Sequence, residues 1–237
     1  MAQAPSASSG GAAPLSLAQR FIGVLTSPKS TFESVVSFPR WFGIFAVTIL
    51  LSTVVTTAFF WSPVGRDALV AQMHEQNPAI TDQQAEMGMT VTKFATPVLV
   101  PIGGLLVMLV IAGVLMGVFA ITGGTASFKQ VLAVVAHAGV VSTVVGIVNL
   151  AVNYFRGSMV PITSLAGLGQ AFAEKGFMAG FLGAIDLVWF LYFFVLAVGL
   201  GVLYRRRTAP IFMSLTAFYF VIAVVIGAVK AAMAGGS

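Results

Sequence analysis

The sequence has no cysteine, little charge and only two histidines. The absence of cysteine excludes disulfides, thiol catalysis and thiolate metal sites. Charged residues make up 8% of the 237 residues and hydrophobic residues 58%, whereas a soluble domain has about 25% charged residues. Because so few charged side chains cannot cover so much apolar surface, a soluble globular fold is excluded. We expect the lipid bilayer to surround most of the chain.

Motifs of common enzymes are also missing. The chain has no HExxH zinc motif, no GxSxG nucleophile motif, no GxxxxGK[ST] phosphate loop and no paired carboxylates within an apolar stretch. We therefore expect no enzymatic activity, no catalytic residue and no cofactor. The net charge of +5 comes from twelve Lys and Arg spread among loops. No nucleic-acid partner is expected, because these residues do not form a patch that could neutralise phosphates.

Long apolar segments dominate the rest of the sequence. The first runs from Trp41 to Trp61, 21 residues that at about 1.5 Å each match a hydrocarbon core of about 30 Å. Its terminal tryptophans favour the headgroup level at both ends. Open sheet edges are not tolerated in hydrocarbon, so the segments predict an all-α polytopic transmembrane helical bundle with about five spans. The predicted spans are about 41–61, 95–121, 131–154, 180–204 and 209–229.

The segments outside the spans are of three kinds. Residues 1–14 are rich in Ala, Ser, Gly and Pro, which predicts a disordered tail before a transmembrane domain over 15–237. From Leu15 to Val36 apolar residues recur at helical spacing with an interruption near Pro28. This pattern predicts two short amphipathic helices at the membrane surface. The polar segment 62–93 contains Thr81, which is typical of a helix N-cap, and we expect it to be helical and outside the bilayer.

The distribution of basic residues predicts the orientation of the chain. With a cytoplasmic N-terminus, seven lie on the cytoplasmic side and five on the other. The two densest clusters, before the first span and between the fourth and fifth, then share the cytoplasmic side, as the positive-inside rule requires. We expect the C-terminus on the opposite side. The seven are Arg20, Lys29, Arg40, Lys129, Arg205, Arg206 and Arg207; the five are Arg66, Lys93, Arg156, Lys175 and Lys230.

Two ionisable residues, His137 and Asp186, fall inside the predicted third and fourth spans. An ionised group at a helix centre costs about 3 kcal/mol, which makes both residues functional candidates. His137 can be a neutral imidazole in one interhelical hydrogen bond, and no second histidine lies nearby to complete a metal site. Asp186 can cap or bond a neighbouring helix near the interface, or carry a proton or ion. Helical rise places the two about 4 to 12 Å apart in depth, so their contact stays open.

Two further pairs are spaced for contacts between helices. Asn149 and Asn153 are four apart on the third span, where interhelical hydrogen bonds are worth about 0.6 to 2 kcal/mol each. Gly113 and Gly117 are four apart on the second span and allow another helix to approach closely. The first pair predicts intramembrane polar contacts and the second a packing face.

Three segments resemble the Yip/YIF domain family, membrane proteins named for interaction with Ypt and Rab GTPases. They read RFIGVLTSPKSTFESVVSFPRWFGIF, GTASFKQVLAVVAHAG and DLVWFLYFFVLAVGLGVLYRR. The resemblance covers the chain from about residue 15 onward. It implies five spans with a cytoplasmic N-terminus and a C-terminus on the opposite side. For eukaryotic relatives it also implies a part in vesicle trafficking and membrane shaping through small GTPases.

The N-terminal region departs from that eukaryotic pattern. The acidic, Tyr-Gly-Pro-containing cytosolic region is missing, and residues 1–14 contain neither Asp nor Tyr. The chain resembles the prokaryotic branch, which implies the inner (cytoplasmic) membrane and no small GTPase partner. Our first hypothesis is a non-enzymatic protein that organises the membrane, with the lipid bilayer and other membrane proteins as partners. The alternative is a small transporter or channel subunit that uses His137 and Asp186.

Overall fold

The computed structural model of the protein describes residues 14–166 and 176–234. Residues 1–13 of the predicted tail and Lys175 of the charge count lie outside the described residues. The described part folds into nine helices and no strand, which confirms the all-α prediction. The helices are α1 (Leu17–Thr26), α2 (Pro28–Ser37), α3 (Trp41–Trp61), α4 (Pro63–Gln76), α5 (Asp82–Ile121), α6 (Phe128–Arg156), α7 (Phe177–Gly183), α8 (Leu187–Tyr204) and α9 (Thr208–Ala234).

Five of these helices, α3, α5, α6, α8 and α9, are long and apolar enough to cross a membrane. Helices α6 and α8 form the centre, since 61% and 44% of their apolar stretches are buried. The corresponding shares are 17%, 22% and 17% for α3, α5 and α9. Helix α6 packs against α3, α5 and α8, and α9 packs against α7 and α8. The outer helices therefore turn most of their apolar surface away from the core, as a bundle in lipid requires.

The two short N-terminal helices pack onto the central pair. Ser16 and Gln19 form a capping box at the start of α1, and Pro28 begins α2, where its missing N–H leaves no helical bond unmade. Phe32 and Val35 of α2 are fully buried, and both helices contact α6 while α2 also contacts α8. The prediction of two N-terminal amphipathic helices is confirmed, with one face of each built into the bundle.

The helix of the second span starts earlier than predicted. Helix α5 is a single helix of 40 residues that begins at Asp82, with Thr81 and Gln84 in a capping box. It contains Pro97 and Pro101, yet it is helical throughout. The polar turns from residue 82 onward therefore lead directly into the apolar stretch that we predicted from residue 95.

The fourth span is the clearest departure from prediction. A continuous helix from residue 180 to 204 is wrong, because α7 ends at Gly183 and α8 begins at Leu187. At the break, the N–H of Leu187 donates to the carbonyl of Thr163 at 3.0 Å, and the N–H of Leu165 donates to the carbonyl of Ile185 at 2.9 Å. These partners replace intrahelical hydrogen bonds, so the chain can leave the helix without orphaned polar groups.

Candidate functional site: polar contacts within the bundle

His137 lies at the centre of the bundle and is fully buried. Its Nδ1 is 2.7 Å from the carbonyl oxygen of Ala133, one turn earlier on α6. Its Nε2 is 3.3 Å from Nη1 of Arg20 on α1, and the same Nη1 donates to the carbonyl of Arg40 at 2.7 Å. The predicted intramembrane polar contact of His137 is therefore with an amphipathic helix instead of another span.

These partners define the protonation state of His137. A carbonyl oxygen only accepts, so Nδ1 must carry the proton that it donates to Ala133. A guanidinium only donates, so Nε2 must be the unprotonated acceptor for Arg20. The imidazole is thus neutral and held as the Nδ1–H tautomer. A proton on Nε2 would place two donors against each other.

Arg20 is buried together with His137, with 7% of the residue exposed. Burial, and secondly the positive charge of Arg40, lower the pKa of Arg20, but a guanidinium stays protonated in proteins. Its Nε has no hydrogen-bond partner among the described residues. A buried cation with incomplete hydrogen bonding depends on each contact it makes, so the acceptors on His137 and Arg40 hold α1 in place.

Asp186 lies at the break between α7 and α8 and not inside a helix, which corrects its predicted position within the fourth span. Its side chain is the N-cap of α8 and accepts from the N–H of Val188 at 2.9 Å. A carboxylate at this place satisfies an orphan donor and complements the positive end of the helix dipole. Asp186 and His137 share no hydrogen bond, and each has its own partners.

Tyr219 of α9 forms hydrogen bonds to the backbone of the same break from the other side. Its hydroxyl donates to the carbonyl of Ala184 at 2.7 Å and accepts from the N–H of Asp186 at 2.9 Å. One phenol thereby satisfies two backbone groups that the interrupted helix would otherwise leave unpaired. The break is thus held by the 163–165 segment on one side and by α9 on the other.

The asparagine pair is buried near the end of α6, and among the described residues it forms no hydrogen bond to another span. Asn149 donates through Nδ2 to Oγ1 of Thr163 at 2.9 Å, so its partner lies in the segment after α6. Oδ1 of Asn149 and Oδ1 of Asn153 are buried without a hydrogen-bond partner among the described residues. Within the described part of the chain, the pair therefore bonds from α6 to the following segment instead of across helices as predicted.

Close helix approach occurs at other glycines than the predicted pair. Gly113 and Gly117 are exposed, and no atom lies within 4 Å of a Cβ built on either one. They do not form a packing face within the described chain, because the side of α5 that carries them points outward. A Cβ on Gly180 of α7 would instead lie 2.9 Å from Cα of Gly227 on α9. The backbones of α7 and α9 meet there.

Arg20, Thr163 and Tyr219 are the residues that the sequence analysis missed. Arg20 lies on the same helix face as the buried Val24, and a lone cation on an otherwise apolar face is a signal for an acceptor opposite it. Thr163 and Tyr219 give no comparable signal, because their roles depend on a helix break inside an apolar run. In the part of the chain that the structure describes, no three His, Asp or Glu side chains lie together as a metal site would need.

Comparison with known proteins agrees with this architecture. The Yip1 domain matches residues 22–229 of the chain. A curated relative, membrane protein YknW of Bacillus subtilis (strain 168), is 22% identical over 178 residues, which are 75% of each chain. No solved structure matches the chain. Because the domain covers most of the sequence, including all five apolar helices almost to the end of α9, the chain belongs to the Yip1 domain family.

Proposed function

We propose that the protein is a non-enzymatic membrane-organising protein that inserts a fixed amphipathic helix pair into one leaflet beside its five-span bundle. The observation that carries this proposal is the surface of α1. Ile22 and Leu25 are 59% and 43% exposed on one side of α1, while Val24 and Arg20 are buried against the bundle on the other. Ile22 and Leu25 thus form an exposed apolar strip, bordered by the exposed polar residues Gln19 and Thr26. The only charged residue of α1 is the buried Arg20.

Helix α2 sets the depth at which α1 lies. The exposed residues of α2 include Lys29, Ser30 and Glu33, which need water or headgroups. Next to it, Phe38 and Phe42 are exposed at the entry into α3, and aromatic rings favour the interface. A helix pair with this surface lies in the interfacial plane, with its apolar side about 5–10 Å into the headgroup and acyl boundary. The pair thus adds cross-sectional area to one leaflet only.

We place this helix pair on the cytoplasmic side. Gln130 at the start of α6 donates to the carbonyl of Val36 in α2, and Arg206 between α8 and α9 donates to the carbonyl of Thr122 after α5. The basic loop after α8 and the basic N-terminal helices therefore lie at one end of the bundle. Their shared positive charge supports a cytoplasmic N-terminus, and an odd number of crossings puts the C-terminus on the other side.

Vesicle remodelling tests the proposal. Full-length protein inserted with α1 in the outer leaflet should shrink or tubulate large vesicles. The variant Ile22→Ser/Leu25→Ser should lose this effect because its outer face no longer enters the acyl region. Met87→Ser/Val91→Ser is the matched control, since both residues are 61% exposed on α5 far from α1. Vesicles that keep their shape with the native protein, or that respond equally to both variants, would refute the proposal.

The transporter alternative has less support. His137 is engaged by Arg20 and Ala133, and Asp186 by Val188. Both polar groups are thus used to hold helices in place, and they share no hydrogen bond with each other. If a proton or ion pathway used Asp186, Asp186→Asn would reduce flux into liposomes while keeping the helix cap. We expect flux at the background level for the native protein and for this variant.

A further inference from the structure

A positively charged cleft, which we call the basic cleft, lies at the end of the bundle that holds α1 and α2. It has a volume of about 940 Å³ and opens between the first turn of α2 and the loop that joins α8 to α9. Its polar part is lined by Lys29, Ser30, Arg205 and Arg207. The two segments are more than 170 residues apart in sequence, so only the folded chain forms this cleft.

Three basic side chains in the cleft have no ion-pair partner among the described residues: Lys29, Arg205 and Arg207. Glu33 is the single acidic residue of the lining against four basic ones, which leaves three positive charges in excess. Arg206 also lines the cleft, but its guanidinium donates to the carbonyl of Thr122 and lies 5.6 Å above the ring of Phe119. The other three are therefore the ones available to a ligand.

Below these charges the cleft has an apolar wall. Phe194, Val198 and Val202 of α8 form it, and Phe194 is half exposed on the membrane-facing side of the helix. Ser27 and Pro28, at the start of α2, also line the cleft, so the positive end of the α2 dipole lies beside it. A ligand that fits must carry negative charge at one end and apolar groups at the other.

We infer that the basic cleft binds an anionic phospholipid from the cytoplasmic leaflet. Its phosphate lies between Lys29 and Arg207 at the mouth, and an acyl chain follows Phe194 along α8. Basic pockets between transmembrane helices on the cytoplasmic side bind anionic lipid headgroups. The positive charges lie close together there and form charge-assisted hydrogen bonds with the phosphate. This site goes beyond the proposed function, since an inserted helix pair without any lipid preference would still enlarge one leaflet.

Lipid binding to the purified full-length protein in neutral detergent tests the inference by native mass spectrometry. The probes are phosphatidylglycerol, phosphatidylcholine and inorganic phosphate. The test variant is Lys29→Gln/Arg207→Gln. The control is Arg40→Gln/Lys129→Gln, which removes the same two residue types from exposed positions outside the cleft. We expect the native protein and the control to prefer phosphatidylglycerol, and the test variant to lose about ten-fold in that preference.

Lys29→Arg/Arg207→Lys keeps both charges and should keep the preference, which separates a lost site from a damaged fold. An equal loss in the test variant and in the control would show that net charge alone attracts the lipid, and would overturn the inference. Inorganic phosphate that occupies the cleft as well as phosphatidylglycerol would also overturn it, because the apolar wall would then have no role. If the test variant loses the lipid preference and still remodels vesicles like the native protein, the lipid site and the proposed membrane-organising function are separate properties.

Discussion

Arg20 and His137 meet in the core across 117 residues of sequence, with Nη1 of the arginine 3.3 Å from Nε2 of the histidine. Arg20 belongs to an amphipathic helix and His137 to the most buried span of the bundle. The contact therefore couples the position of α1 to the position of α6. It holds α1 against the bundle while Ile22 and Leu25 stay exposed on the other side of the helix.

Loss of His137 should destabilise the protein through Arg20. In His137→Ala the guanidinium keeps only the carbonyl of Arg40, and a buried donor left without a partner costs about 1–3 kcal/mol, more for a charged group. The double variant Arg20→Met/His137→Leu should be more stable than His137→Ala, since neither polar group remains. Unfolding in detergent at several denaturant concentrations measures both. Equal stability of the native protein and His137→Ala would contradict the role given to this pair.

Replacement of Asp186 should show a capping role. Asp186→Ala removes the acceptor for the N–H of Val188 and should lower the free energy of unfolding by about 0.5–2 kcal/mol. Asp186→Asn keeps an acceptor of the same shape and should stay close to native stability. The same detergent unfolding experiment compares them. If the asparagine variant were as unstable as the alanine variant, the negative charge and not the cap would be the important property.

Tyr219→Phe should loosen the break between α7 and α8. The change removes one donor and one acceptor from the backbone groups of Ala184 and Asp186, a loss of about 1–3 kcal/mol where no water replaces them. Hydrogen exchange at the amide of Asp186 should accelerate. Tyr154→Phe is the control, because Tyr154 is exposed and its side chain has no hydrogen bond to any residue that the structure describes. Slow exchange in Tyr219→Phe would show that the break is held by other contacts.

Glycine substitutions should separate a packing position from an open one. A Cβ on Gly199 would lie 2.6 Å from Cγ1 of Val134 and 2.9 Å from the ring of Phe32. Gly199→Ala should therefore destabilise by about 1–3 kcal/mol, because α2 and α6 have to move away from α8. Gly113→Ala meets open space and should be neutral or stabilise by about 0.5–1 kcal/mol through helix propensity. The reverse order of stabilities would mean that α5 packs against something at Gly113.

The span architecture could be predicted because it depends on local properties. Trp41–Trp61 is long, uncharged and bounded by tryptophans, so length and composition alone define a crossing. Thr81 was predicted as an N-cap for the same reason, since a capping box is a pattern of neighbouring residues.

The polar contacts could not be predicted because they depend on distant partners. The run from residue 180 to 204 is apolar without interruption apart from Asp186, and composition does not distinguish a continuous helix from two. The break exists because Thr163 and Tyr219 supply hydrogen bonds to its backbone. In the same way, a single sequence does not show that Arg20 reaches His137. The sequence therefore predicted His137 as a functional candidate, whereas in the structure His137 contacts α1 through Arg20.

The arrangement of the five crossings is tested most directly by cysteine accessibility, since the native chain has no cysteine. Four single variants at exposed positions suffice: Ser30→Cys, Thr125→Cys, Ala79→Cys and Met233→Cys. Each is labelled in intact cells with a maleimide that does not cross the cytoplasmic membrane, and again after permeabilisation. Ala79→Cys and Met233→Cys should be labelled in intact cells, and Ser30→Cys and Thr125→Cys only after permeabilisation. Labelling of Ser30→Cys and Met233→Cys from the same side would contradict the account.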